Sequence, residues 1–255
     1  MLGRNIPLTG SPARIVSVVP SQTELLFNLG LDEEIVGVTK FCVHPKTLVD
    51  RKAKVGGTKR LWLPTIEELN PDLIIANKEE NTREDILALQ RDYPVWVSDV
   101  SNLHDALYMI REVGVITGRR EEAARLSEDI EKEFSRLLLV GRRRKSVLYL
   151  IWKGPYMSVG PDTFIHDMLQ RAGFDNVLSN TLRYPEISEQ HIRELKPDFI
   201  FLSTEPYPFK EVHVEELQKL CPTSKVVGVD GEFFSWYGSR LQYAPAYFRE
   251  LQELM

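Results

Sequence analysis

The chain has 255 residues, 43% of them hydrophobic, with 32 basic against 37 acidic side chains and a formal net charge of −5. That is enough to bury the core of one large or two modest domains, and the acidic balance excludes the basic footprint that nucleic-acid binding needs. No segment is long and uncharged enough for membrane insertion, and Cys42 and Cys221 lie in different halves with neither a Cys-x-x-Cys pair nor a staple framework.

Taken in order, residues 1–12 hold no apolar run of signal-peptide length, so the chain as given predicts a cytoplasmic location. A periplasmic one is the alternative if an upstream signal has been removed. Residues 14–19 read as a strand ending at Pro20. Ser21 followed by Glu24 is a capping-box spacing ahead of an apolar helix stopped by Gly30. Residues 35–38 give a second strand running into Thr39-Lys40-Phe41-Cys42-Val43-His44-Pro45, and Val55-Gly56-Gly57-Thr58-Lys59 is a glycine-rich turn. A short helix at 64–69 feeds a strand at 73–76; helix 83–90 and strand 95–97 follow.

From His104 the apolar residues recur at threes and fours, and over 120–140 the positions Ala123, Leu126, Ile130, Phe134 and Leu137 mark one face of a long amphipathic helix. At ~1.5 Å per residue that stretch reaches roughly 30 Å, a strut rather than a flexible linker. The basic run Arg142-Arg143-Arg144-Lys145 reads as a solvated patch at the negative end of that helix. The second half restarts with strand 147–152 and the loop Lys153-Gly154-Pro155-Tyr156. It continues through helix 163–172, helix 188–195, strand 199–202, helix 214–220, strand 226–229 and a closing helix over 242–255.

The two halves repeat each other. Glu68-Leu69-Asn70-Pro71-Asp72-Leu73-Ile74-Ile75-Ala76 returns as Glu194-Leu195-Lys196-Pro197-Asp198-Phe199-Ile200-Phe201-Leu202. In each, proline ends a helix and a continuous apolar run suits a strand buried on both faces. The expected fold class is therefore α/β, with two lobes each holding a short parallel sheet flanked by helices and one long backbone helix joining them. The lobes are expected at 1–103 and 141–255, with the connector at 104–140. Ligands of such sheets sit beyond the strands' carboxyl ends.

The opening Arg14-Ile15-Val16-Ser17-Val18-Val19-Pro20-Ser21-Gln22-Thr23-Glu24-Leu25-Leu26, the strand Val36-Gly37-Val38, Val55-Gly56-Gly57 and the paired Pro-Asp strands together resemble the helical-backbone substrate-binding proteins of ABC importers, the group that captures cobalamin, ferric siderophores and haem. The sequence looks like a branch without a signal peptide. The resemblance implies an interlobe site for a small anionic or metal-chelate ligand, a corrinoid, haem or ferric chelate, and an ABC permease as partner. It also implies one docking glutamate per lobe, but those positions fall on Pro64 and Gln190, with Glu67 and Glu189 close enough to substitute.

Charged and aromatic residues after the predicted strands are the candidate ligand contacts: Lys59, Asn77, Lys78, Glu79, Glu80, Arg83, Glu205, Tyr207, Trp236, Tyr237 and Arg240, with Trp152, Tyr156, Arg183 and Tyr184 in second rank. Aromatic faces suit a flat or apolar ligand body, and Arg240 and Lys59 its acidic groups. Structural ion pairing, for instance of the three glutamates with Lys78, Arg83 or Arg240, is the competing reading. Trp62 and Trp96 are expected in packing. The histidines at 44, 104, 166, 191 and 213 show no metal-ligand spacing, so no metal site is expected, although His44 and His166 lie near strand ends. No hydrolase elbow, phosphate loop or dinucleotide fingerprint is present, which makes an enzyme using cleft Glu and Lys the lesser alternative, beside a sensor or partner-binding module of the same fold.

Overall fold

Short apolar runs bounded by proline become the strands of two parallel sheets in the computed structural model, which describes residues 10–137 and 144–253. The chain divides into two units. The first runs to Val100 and also takes in His104–Glu131 and Trp236–Arg240; the second holds Ser101–Leu103, Lys132–Ser235 and Leu241 onward.

The first unit contains β1 (Ile15–Ser17), α1 (Pro20–Asn28), β2 (Ile35–Val38), α2 (Lys46–Val49), β3 (Ala53–Lys54), the hairpin β4 (Gly56–Gly57) and β5 (Arg60–Leu61), α3 (Leu63–Leu69), β6 (Leu73–Asn77), α4 (Arg83–Leu89), β7 (Val95–Ser98) and α5 (Leu103–Ile116). Its sheet has the order β3-β2-β1-β6-β7, parallel throughout. Every residue of β6 is buried, as a strand covered on both faces requires. Val16, Val18, Ile66, Ile74 and Ile86 pack one face of the core.

Helix α6 (Arg120–Ser135) carries the chain from the first unit into the second, its final turn from Lys132 belonging to the latter. Residues 138–140 of the expected longer helix lie outside the described residues, as do Arg142 and Arg143 of the basic run. Gly118, at φ +73°, separates α5 from α6. Gly114 lets those helices approach so closely that a Cβ there would come 2.3 Å from the Ala123 Cβ.

The second unit contains β8 (Lys145–Leu150), β9 (Tyr156–Met157), α7 (Phe164–Arg171), β10 (Phe174–Asn176), β11 (Glu186–Ile187), α8 (Glu189–Leu195), β12 (Phe199–Ser203), α9 (Glu211–Leu220), β13 (Lys225–Val229), α10 (Glu232–Ser235) and α11 (Ala244–Gln252). Its main sheet runs β10-β8-β12-β13, again parallel.

The repeated stretch does the same mechanical job twice. Asn70 and Lys196 end α3 and α8 in the left-handed conformation, at φ 43° and 44°. The aspartate two residues on then anchors the first strand of its own unit. Asp72 accepts hydrogen bonds from the backbone N–H groups of Ala13 and Arg14 at 2.8 and 2.9 Å. Asp198 accepts from the Ser146 N–H and hydroxyl at 2.8 and 2.9 Å.

Three expectations are corrected. The capping box at Ser21 and Glu24 does not form: α1 starts at Pro20, whose missing N–H suits a first turn, Val19 is the cap residue, and the Glu24 side chain bonds Arg240 instead. Trp62 is not a packing residue; it precedes α3 and is 51% exposed. The edge strands β3 and β10, only 2 and 3 residues long, went unread because so short a run shows no period.

Candidate functional site

In the first unit the carboxyl ends of β1, β2, β6 and β7 rest on buried polar side chains: Ser17, Gln22, Thr23, Thr39, Asn77, Asn81 and Ser98. Asn77 belongs to that floor. Its Oδ1 accepts the N–H groups of Glu79 and Glu80 at 2.8 and 3.1 Å, and its amide donates to the Ser98 hydroxyl and carbonyl oxygens at 3.0 and 3.2 Å. Asn81 accepts the Asn77 N–H at 2.9 Å and donates to the Val18 and Thr58 carbonyls, both at 3.1 Å. These two carboxamides tie the 78–82 loop to the β4–β5 hairpin turn.

Above the floor stand ionic and aromatic groups. Lys59 is exposed on the hairpin turn and donates to the Glu79 carbonyl. Burial pushes the Glu80 carboxyl above the ordinary glutamate range, opposed by the nearby Lys59 charge. Lys78 pairs with Asp99 at 2.5 Å, and Arg83 is exposed in the first turn of α4. Sequence reasoning passed over Phe41, half exposed in the turn after β2 with the Lys40 ammonium 5.0 Å from its ring centroid. Its position past a strand's carboxyl end was the available signal. A Cβ at Gly57 would lie 3.0 Å from the Phe41 ring, which would have to shift to admit it.

In the second unit the loops after β8 and β12 bring aromatic rings together. Trp152, 40% exposed, meets Tyr207 edge-on at 5.4 Å. Tyr207 in turn contacts Phe209 at 4.8 Å and His213 at 5.6 Å. Phe209 and His213 were not among the sequence candidates. Beside them Lys153 pairs with Glu216, which draws the lysine up and the glutamate down. Tyr156 lies buried in β9, its phenol raised by desolvation. Arg183 holds a left-handed φ of 63°, receives support from Asp162 at 2.6 Å on its N–H, and covers the Tyr184 ring at 5.5 Å. Glu205 accepts a hydrogen bond from the Ser235 hydroxyl, so its carboxylate is engaged inside the unit.

Trp236, Tyr237 and Arg240 belong to the first unit, and the structure assigns them to its interior. The two rings are each 6% exposed, and Arg240 forks onto Glu24 at 2.7 and 3.1 Å. His44 meets Trp236 edge-on at 5.5 Å; His166 Nδ1 accepts from the Asn176 amide at 3.3 Å, and burial lowers its pKa. Among the described residues no group of three or more His, Cys, Asp or Glu converges to hold a metal ion. No helix among them is long and apolar enough to cross a membrane.

Parallel α/β sheets take their ligands beyond the carboxyl ends of the strands, where each unit gathers its polar and aromatic loops. The periplasmic binding protein family model matches residues 15–223, and the chain belongs to that family. It is similar to the vitamin B12-binding protein of Pectobacterium carotovorum subsp. carotovorum (strain PC1), 23% identical over 239 residues, which cover 91% of this chain and 86% of that one. Among solved structures it resembles the periplasmic vitamin B12-binding protein of Vibrio cholerae, with a TM-score of 0.81 at 18% identity, covering 95% of this chain and 98% of that one. The periplasmic haem-binding protein from Roseiflexus sp. RS-1, in apo form, gives 0.81 at 22% identity, over 94% and 99%.

Proposed function

We propose that the protein is a substrate-binding component of an ABC importer whose cargo is a corrinoid. The observation that carries this reading is the pairing, at strand carboxyl ends in each unit, of an exposed aromatic face with a lysine: Phe41 with Lys40 and Lys59 in the first, Trp152 and Tyr207 with Lys153 in the second. Flat apolar faces cover a macrocycle, and ammonium groups reach its polar side arms. The relatives named for vitamin B12 support a corrinoid. Haem is the second reading, favoured by the haem-binding structural neighbour.

For the transporter, Glu67 and Glu189 are exposed near Pro64 and Gln190 and are the acidic groups on offer for docking. The relatives named periplasmic support the periplasmic alternative over a cytoplasmic location. Thermal melts with hydroxocobalamin and with haemin test the cargo. Ligand at a hundredfold its Kd adds ~2.7 kcal/mol, worth roughly 2 to 4 °C. A shift with hydroxocobalamin alone supports the proposal; one with haemin alone replaces it, and no shift with either overturns it.

A further inference from the structure

The first unit also holds a recess of about 390 Å³, lying where the turn after β2, helix α2 and the end of β3 meet. That volume falls within the ~300–1,000 Å³ of small-molecule pockets. Its walls carry Lys40, Lys46, Lys54 and His44 against a single carboxylate, Asp50.

The charges are not balanced. Asp50 is taken by Lys46, one turn away on α2 at 2.9 Å. Lys54 directs one N–H to the Val49 carbonyl at 2.8 Å, which fixes its ammonium at the end of α2 and leaves two donors. The Lys40 ammonium lies over the Phe41 ring, 5.0 Å from its centroid, and among the described residues neither Lys40 nor Lys54 has a carboxylate within ion-pair distance. The Cys42 sulfur does not supply the missing negative charge, because burial keeps it a thiol, bonded with the hydroxyls of Thr23 and Thr39 at 3.1 and 3.2 Å. Two like charges facing one concavity repel each other, and an anion between them turns both interactions favourable.

We propose that this recess is a binding site for a small oxyanion, a phosphate ester or a polycarboxylate, held between Lys40 and Lys54. The site goes beyond the corrinoid reading and shares Lys40 with it, while Lys54 belongs to the recess alone. The donors are point charges with rotatable N–H groups, so they demand charge of the anion rather than one fixed bidentate geometry.

Isothermal titration of the full chain with inorganic phosphate and, separately, with citrate tests the site and distinguishes the two sources. Saturable binding of at least one is expected. Lys40→Met and Lys54→Met keep the alkyl stems and should each weaken it by about tenfold or more, while Lys54→Arg retains most of it. The double variant Lys46→Met/Asp50→Asn serves as the control, since it removes an opposed pair and leaves the net charge of the recess unchanged, and should change affinity less than about twofold. Melting curves verify that each variant is folded. The proposal is overturned if neither anion binds saturably, or if that double variant weakens binding as much as the other two, which would place the anion on Lys46 instead. Hydroxocobalamin titrated alone keeps the readings separate: it can bind where phosphate and citrate fail, or fail where they bind.

Discussion

Arg240 donates two hydrogen bonds to the carboxylate of Glu24, closing a contact between residues 216 positions apart. The same guanidinium lies 4.9 Å from the Trp236 ring centroid. Gly238 packs so closely on α1 that a Cβ would come 2.5 Å from the Ser21 carbonyl oxygen. Five late residues thus complete a unit built from the front of the chain, and the ion pair is its clasp.

Both clasp side chains are less than a fifth exposed, which places the pair between surface bridges, worth about 0–1 kcal/mol, and buried ones whose breakage costs about 3–5 kcal/mol. Arg240→Ala should therefore cost about 2–3 kcal/mol in urea unfolding, and Arg240→Lys should recover little because the fork is lost. A variant of wild-type stability that no longer binds hydroxocobalamin would return Arg240 to the ligand contacts.

The paired anchors make a second prediction. Asp72 and Asp198 each accept two hydrogen bonds at the start of a first strand, and both are exposed. Asp72→Ala and Asp198→Ala should each cost about 1–3 kcal/mol, since backbone donors are left without their charged acceptor. Asn at either position should cost less. Chemical denaturation of both variants checks the equivalence, and a loss at only one anchor would mean the repeat is not mechanically symmetric.

These anchors also show how far the sequence could be read. The proline stop, the aspartate and the continuous apolar run are local signals, so β6 and β12 and the doubling of the fold were legible. Local patterns carry no information on partners hundreds of residues away. Trp236 and Arg240 therefore looked like surface chemistry, whereas packing against α1 makes them interior. Asn77 sits where a ligand group would, after a strand, and the sequence does not reveal that its carboxamide also makes four hydrogen bonds that shape the loop. Phe41 was missed because an aromatic residue beside a strand normally reads as core.

Gly160 supports the loop that carries Arg183 and Tyr184. Its N–H donates to the Arg183 carbonyl at 2.6 Å, and an added Cβ would meet the Thr181 carbonyl oxygen at 2.1 Å and the Arg183 nitrogen at 2.9 Å. All of these are backbone atoms, so no side-chain rotation relieves the clash. Gly160→Ala should cost about 1–3 kcal/mol and displace the loop. Thermal melts measure the first effect, and amide exchange at residues 181–184 the second.

Glu80 gives a pH prediction. Burial raises its pKa in the folded state above the ordinary value of 4.5, so as pH rises the unfolded chain releases this proton first. The contribution of Glu80 to stability is present below about 4.5 and is lost as pH climbs through the folded pKa. Glu80→Gln should then raise the melting temperature at pH 7.5 and leave it nearly unchanged at pH 4. A gain of equal size at both pH values would rule out the ionisation as its cause.

The sharpest separation of binding surface from core comes from two tryptophans. Trp152 is 40% exposed, with Tyr207 as its ring neighbour, whereas Trp236 is enclosed between His44 and Arg240. Trp152→Ala removes less buried area than Trp236→Ala, so its cost in stability should be about 1–2 kcal/mol. If the aromatic face covers the cargo, its affinity for hydroxocobalamin should fall by about tenfold or more, as truncation of an aromatic anchor does. Trp236→Ala should show the reverse: a loss of about 3–5 kcal/mol in stability from the cavity it leaves, with affinity in the surviving folded fraction changed far less. Denaturation and titration on the same two variants decide the matter. Unchanged affinity in Trp152→Ala would remove the second unit's aromatic face from the binding surface.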